Sequence, residues 1–327
     1  MGWRQALRRV GVLALACLVL GGWPSAAGAA DTVAFTITDQ RITESSGLAR
    51  DTAANIYWTV NDSGDTGVAY GITPKGKVSG TLNFRAEPRD VEAVSEVNDR
   101  LYVGDIGDNG AERDMVTVYY FNSPRANGLM VTYKSWDFRY PDGAHDAETL
   151  LVNSAGRLFI VTKDTKGAIY AAPKEPKTSG VNKLTKVGDA PAGVTDGVFL
   201  PGDQQIALLR GIAVDVIDAK TYQTVASAAV PKQPQAESLA VSLDEKSLLV
   251  GSEGKKSKVY AMPVPGTETP SPSPTPSQTS DSDGQDVPDE EPDATTGQSR
   301  QGTFLALGLA AFAAVVAGLV VGFARKR

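Results

Sequence analysis

Five times along the chain an acidic residue opens a run of small and apolar residues. An aliphatic-aromatic run ending in polar residues follows, then a third short run that carries tyrosine in four of the five units. The units begin Thr43-Glu44-Ser45, Val91-Glu92-Ala93, Ala147-Glu148-Thr149, Thr195-Asp196-Gly197 and Ala236-Glu237-Ser238. Their second runs are Ile56-Tyr-Trp-Thr-Val-Asn-Asp62, Leu101-Tyr-Val-Gly-Asp105, Leu158-Phe-Ile-Val-Thr-Lys-Asp164, Ile206-Ala-Leu-Leu-Arg210 and Leu248-Leu-Val-Gly-Ser-Glu253. The tyrosines of the third runs are Tyr70, Tyr119, Tyr170 and Tyr260, with Val214-Asp-Val216 in the fourth unit. Short runs rich in Val, Ile, Tyr and Phe between Gly, Asp and Asn turns read as buried strands. Nothing between them is long enough for a repeated crossover helix, so the sheets should be antiparallel. The acids recur every ~40–55 residues, the period of a β-propeller blade.

This pattern predicts an all-β, five-bladed β-propeller over residues 31–264. The last unit, Glu237 to Pro263, supplies only three strands, while Thr32-Val-Ala-Phe-Thr-Ile37 is a strand without a unit. The N-terminal strand should therefore complete the last blade and close the ring, leaving few open sheet edges. A six-bladed ring is the alternative, because the stretch from Glu92 to Asp146 is long enough to hide extra strands.

The ends belong to other classes of segment. Residues 1–30 carry Arg4, Arg8 and Arg9, an apolar run from Val10 to Leu20, and Ala26-Ala-Gly-Ala-Ala30. That is a secretory signal cut after Ala29 or Ala30. Cys17, the only cysteine, lies inside it, with Ala14 where lipid attachment would want a larger aliphatic residue, so the mature chain has no thiol and no disulfide. Residues 265–302 are rich in Pro, Ser and Asp and read as a disordered stalk that could reach about 100 Å. Residues 303–324 carry no charge and are long enough to span a membrane, and Arg325-Lys-Arg327 follows as a cytoplasmic tail. The expected location is the extracellular side of the cell membrane, held by a single pass with the C-terminus inside.

The formal net charge of −6, still acidic once the ends are set aside, argues against a nucleic-acid partner. In a propeller the start of each blade's first strand and the end of its second lie at one rim. That rim should collect Glu44, Asn61 and Asp62; Asp90, Glu92, Asp105 and Asp108; Asp146, Glu148, Lys163 and Asp164; Asp196 and Arg210; and Glu237 and Glu253. One carboxylate in shared register per repeat, Glu44, Glu92, Glu148, Asp196 and Glu237, would crowd like charges around a narrow channel. Such groups must take up protons, pair with cations or hold a metal. Oxygen donors without thiols favour Ca2+ or Mg2+ over zinc. Asn61-Asp-Ser-Gly-Asp65 and Gly104-Asp-Ile-Gly-Asp-Asn109 are candidate Ca2+ loops, although the same residues are ordinary turn formers and an inward carboxylate can simply accept backbone N–H bonds. His145, the sole histidine, stands beside Asp146 without a G-x-S-x-G elbow. Trp58 and the repeated tyrosines read as packing residues.

Glu44-Ser-Ser-Gly-Leu-Ala49 followed by Trp58-Thr-Val-Asn-Asp-Ser-Gly64 resembles a motif pair of secreted bacterial propeller proteins, similar to the WD40/YVTN-like and esterase-like phytase propellers. The build is similar to actinobacterial membrane-anchored surface proteins. The resemblance implies a propeller fold. The reading favoured for function is a non-enzymatic module, stabilised by Ca2+, that binds a protein or glycan at its rim; the alternative is a metal-dependent hydrolase of phosphate or other esters working through metal-bound water at the same rim. Calcium-dependent phytases of this kind set Ca2+ in acidic residues and use bound water as nucleophile. Of the Lys and Arg they array for phosphate, Lys163 and Arg210 are the clear rim bases here.

Overall fold

The computed structural model describes residues 32–62 and 66–267, so the signal, the transmembrane segment, the basic tail and nearly all of the stalk lie outside the described residues. The described residues hold twenty-two strands and no helix. The first, β1 (Thr32–Thr36), is the outer strand of the last blade. Blade 1 is β2 (Ser45–Asp51), β3 (Ile56–Asn61), β4 (Val68–Ile72) and β5 (Val78–Phe84). Blade 2 is β6 (Val91–Glu96), β7 (Arg100–Asp105), β8 (Val116–Asn122) and β10 (Lys134–Arg139), with β9 (Met130–Val131) returning to blade 1. Blade 3 is β11 (Ala147–Val152), β12 (Leu158–Thr162), β13 (Ala168–Ala171) and β15 (Thr185–Asp189), with β14 (Val181–Lys183) returning to blade 2. Blade 4 is β16 (Val194–Phe199), β17 (Gln205–Arg210), β18 (Ala213–Asp218) and β19 (Thr224–Ala229). Blade 5 is β20 (Ala236–Val241), β21 (Leu248–Ser252), β22 (Lys258–Met262) and then β1.

The molecule is a five-bladed propeller. The inner strands β2, β6, β11, β16 and β20 neighbour one another in a closed circle. Five apolar clusters each fill one junction between consecutive blades. Sandwiching between neighbouring blades explains why β11, β12 and β20 are buried at every position, whereas outer strands such as β19 keep one wet face. Ring closure is antiparallel pairing of β1 with β22, Val33 opposite Tyr260, extended by the Ile37 N–H donating to the Ser257 carbonyl at 2.9 Å. Trp58 is fully buried and donates its indole N–H to Asp51 at 3.1 Å.

The long second unit builds no sixth blade. Its surplus runs back along blade 1, where β9 pairs parallel to β5, and β14 does the same to β10 of blade 2. Both additions cover an outer edge that would otherwise present free N–H and C=O groups. The returning chain lies so close that a side chain at Gly80 would put its Cβ 1.9 Å from the Ala126 carbonyl oxygen, so glycine is required there.

Candidate functional site

Each inner strand pairs its first residue with the end of the second strand and then breaks register: after Ser46 in β2, and at Glu92, Glu148, Thr195 and Glu237 in the other four. In four blades this β-bulge falls at the second residue of the inner strand and re-aims that side chain; in blade 1 it falls later, between Ser46 and Ala49. Counting from the paired first residues (Ser45, Val91, Ala147, Val194 and Ala236), the equivalent positions are Ser46, Glu92, Glu148, Thr195 and Glu237. The shared register therefore holds three glutamates and two hydroxyls, not five carboxylates. Glu44 lies two residues outside it and Asp196 one residue beyond. The two hydroxyls act alike: Ser46 donates to the Glu92 carbonyl and Thr195 to the Ala236 carbonyl, both at 2.7 Å.

The mouth of the channel is a polar cavity of about 220 Å3, lined by Ser46, Asp62, Glu92, Asn109, Glu148, Lys163, Gln235, Glu237 and Glu253. One oxygen each from Asp62, Asp90 and Glu92 lies within 4.8 Å of the others. The loop after β7 closes over this group. A Cβ on Gly107 would come within 2.5 Å of an Asp90 carboxylate oxygen and 2.8 Å of Glu92, so only glycine permits the approach. The Gly107 N–H donates to the Asp90 carbonyl at 3.2 Å, and the Asp108 N–H donates to Asp146 of the next blade at 2.8 Å. In the first candidate loop, residues 63–65 lie outside the described residues.

Electrostatic crowding is concentrated here. Burial, then the charges of Glu148, Asp62, Asp90 and Glu237, push Glu92 up to about 10. Burial and Glu237 push Glu148 up to about 8, against its bond with Lys163. Burial and Asp62 raise Asp90 to about 6. Glu237 and Glu253 are raised too, mainly by burial. Burial works against the Lys163 charge, but its ion pair with Glu148 holds its pKa above the ordinary lysine value. Among the described residues no ion pair reaches Asp90, Glu92 or Glu237.

Of the other sequence-derived candidates, most are held by hydrogen bonds or ion pairs within the chain. Asn61 accepts the Thr43 and Glu44 N–H groups at 3.2 and 3.3 Å and donates to the Arg41 carbonyl at 2.8 Å. Asp105, its equivalent in blade 2, accepts the Arg89 and Asp90 N–H groups at 3.2 and 3.0 Å. Asp105 is also neutralised by buried Arg113 at 2.8 Å. Asp196 lies fully buried, accepting the Gly197 N–H at 2.7 Å and, from the neighbouring blade, the Leu239 N–H at 2.6 Å. Burial raises its pKa, opposed by the backbone N–H groups of Leu239, Gly197 and Leu48. Arg210 pairs with Asp215 at 2.6 Å. Asp164 holds His145 at 2.7 Å, and the other imidazole nitrogen faces Asp142 at 3.2 Å. Glu44 is exposed on the rim.

Sequence reasoning missed Ser46 and Thr195, whose equivalence appears only through the strand pairing. It also missed Arg113, a lone base in a run of turn residues. No protein-family model matches the chain, and no curated protein aligns with it significantly.

Proposed function

We propose that the propeller is a binding module at the cell surface whose acidic mouth takes a divalent cation, Ca2+ first among them, and through it a protein or glycan ligand. The observation that carries this reading is the approach of Asp62, Asp90 and Glu92 to within 4.8 Å. Bonds of ~2.3–2.6 Å from oxygen to Ca2+ place ligands on opposite sides of the ion about 5 Å apart, so three donors at this spacing fit around one ion. The donor set is entirely oxygen, the kind hard cations select. Asp62, Asp90 and Glu92 would hold the ion, with Glu148 and Glu237 adding negative field behind it. The bound ion would supply positive charge in a pocket that otherwise repels itself. Residues 1–30 and 303–327 support secretion and a single membrane pass, which would display the mouth outside the cell on its stalk.

Calorimetric titration of the chelator-treated protein with CaCl2, paired with thermal melts, tests the proposal. Saturable binding and a rise in Tm that vanish in the double variant D90N/E92Q support it. A melt indifferent to both calcium and chelator overturns it.

A further inference from the structure

The channel has a second chamber at its other end. Two to four residues beyond Ser46 and its equivalents, the inner strands stop lining the mouth and begin lining a separate cavity of about 370 Å3. All five blades contribute apolar wall, among them Leu48, Val94, Leu151, Val198 and Val241. A chamber of this size, walled by apolar side chains with polar and charged groups set among them, can hold a small molecule that has both an apolar body and a polar end.

The rim charges say which molecule. Arg50 is occupied by Glu245 at 2.8 Å and by the Ser242 carbonyl at 3.5 Å. Asp203 accepts the Ser154 N–H at 2.9 Å together with the Ser154 hydroxyl, and Asn98 donates to the Ser154 carbonyl at 2.8 Å. Glu96 is different. It is half-buried and lines the chamber, and among the described residues no cation pairs with it. Its charged neighbours include Asp51 and Asp99, both acidic; burial followed by Asp51 pushes its carboxyl up to about 7, opposed by the backbone N–H groups of Asp99 and Arg100. A desolvated carboxylate among like charges gains most from a cationic partner.

We infer that this chamber is a second ligand pocket, for a small molecule with an aliphatic or aromatic body and one protonated amine seated at Glu96. The pocket is independent of the cation site at the mouth.

Ligand-observed NMR titrations of the purified protein with 2-phenylethylamine, 2-phenylethanol and phenylacetate test it. The expected order is amine tightest and carboxylate weakest. Glu96→Gln should weaken the amine at least ~10-fold and leave the alcohol unchanged, as expected for loss of a desolvated charge pair. Val198→Trp, and independently Val97→Trp from another blade, should exclude the amine and the alcohol, while Glu92→Gln at the mouth should leave the binding of both unchanged. The inference is overturned if none of the three probes binds saturably, or if amine and carboxylate bind equally. Either filled variant, shown folded by its melt, that still binds the amine overturns it as well, as does amine binding lost with Glu92→Gln.

Discussion

Two sets of buried acids lie within a few residues of each other in this ring, and they are treated in opposite ways. At the waist and in the supporting loops, Asp196 and Asp105 are each satisfied by the chain itself, through backbone N–H groups and, for Asp105, Arg113. At the mouth, Glu92, Glu148 and Glu237 face one another with Lys163 as their recorded ionic partner, through Glu148 alone. A carboxylate that closes its own hydrogen bonds is part of the scaffold. One held beside its own kind is available to something that arrives from solution. Residue type does not distinguish the two sets; partners do.

The comparison breaks most visibly at Arg113. Replacing it with methionine leaves Asp105 as an uncompensated buried charge and should cost about 3–5 kcal/mol in denaturant melts, with or without calcium. Glu92→Gln should do the reverse: little loss in metal-free protein, but loss of the calcium-dependent gain, which is ~2.7 kcal/mol for an ion at a hundredfold excess over its Kd. Asp196→Asn comes next. It swaps one acceptor for an amide facing an N–H donor and should cost about 1–3 kcal/mol, again independent of calcium. If Glu92→Gln and Asp196→Asn respond alike to the metal, the distinction between the two sets fails.

A pH series sharpens it further. Glu92 and Glu148 have folded-state values raised from 4.5 to about 10 and about 8. Between those limits the folded protein binds more protons than the unfolded chain, so stability falls as pH rises. Metal-free protein should therefore melt lower at pH 9 than at pH 6. Saturating calcium should flatten that slope, and Glu92→Gln should remove part of it.

Much of the ring was legible in the sequence because a blade buried on both faces writes continuous apolar runs at a fixed period. The tyrosines were reliable markers: Tyr70, Tyr119, Tyr170 and Tyr260 all sit opposite equivalent second-strand positions, with Asp215 filling the same place in blade 4, where Arg210 meets it. The lone N-terminal strand gave away the closure for the same reason, an unpaired apolar run needing a partner edge. The site was less legible. Aligning the repeats on their acids put Glu44 and Asp196 into a register that the strand pairing assigns to Ser46 and Thr195. A bulge changes which way a residue points without changing its type, so no pattern of residue types reveals it. The surplus of the second unit was visible as length, but its use as edge cover on neighbouring blades depends on contacts distant in sequence.

Proton release measures the central claim most directly. Calcium added to metal-free protein at pH 7 in a pH-stat should release about one proton or more for each ion bound, because carboxyls raised by crowding must ionise to hold it. Release should fall in Glu92→Gln and stay unchanged in Asp196→Asn. Calcium that binds without releasing protons, or that does not bind at all, would contradict the account.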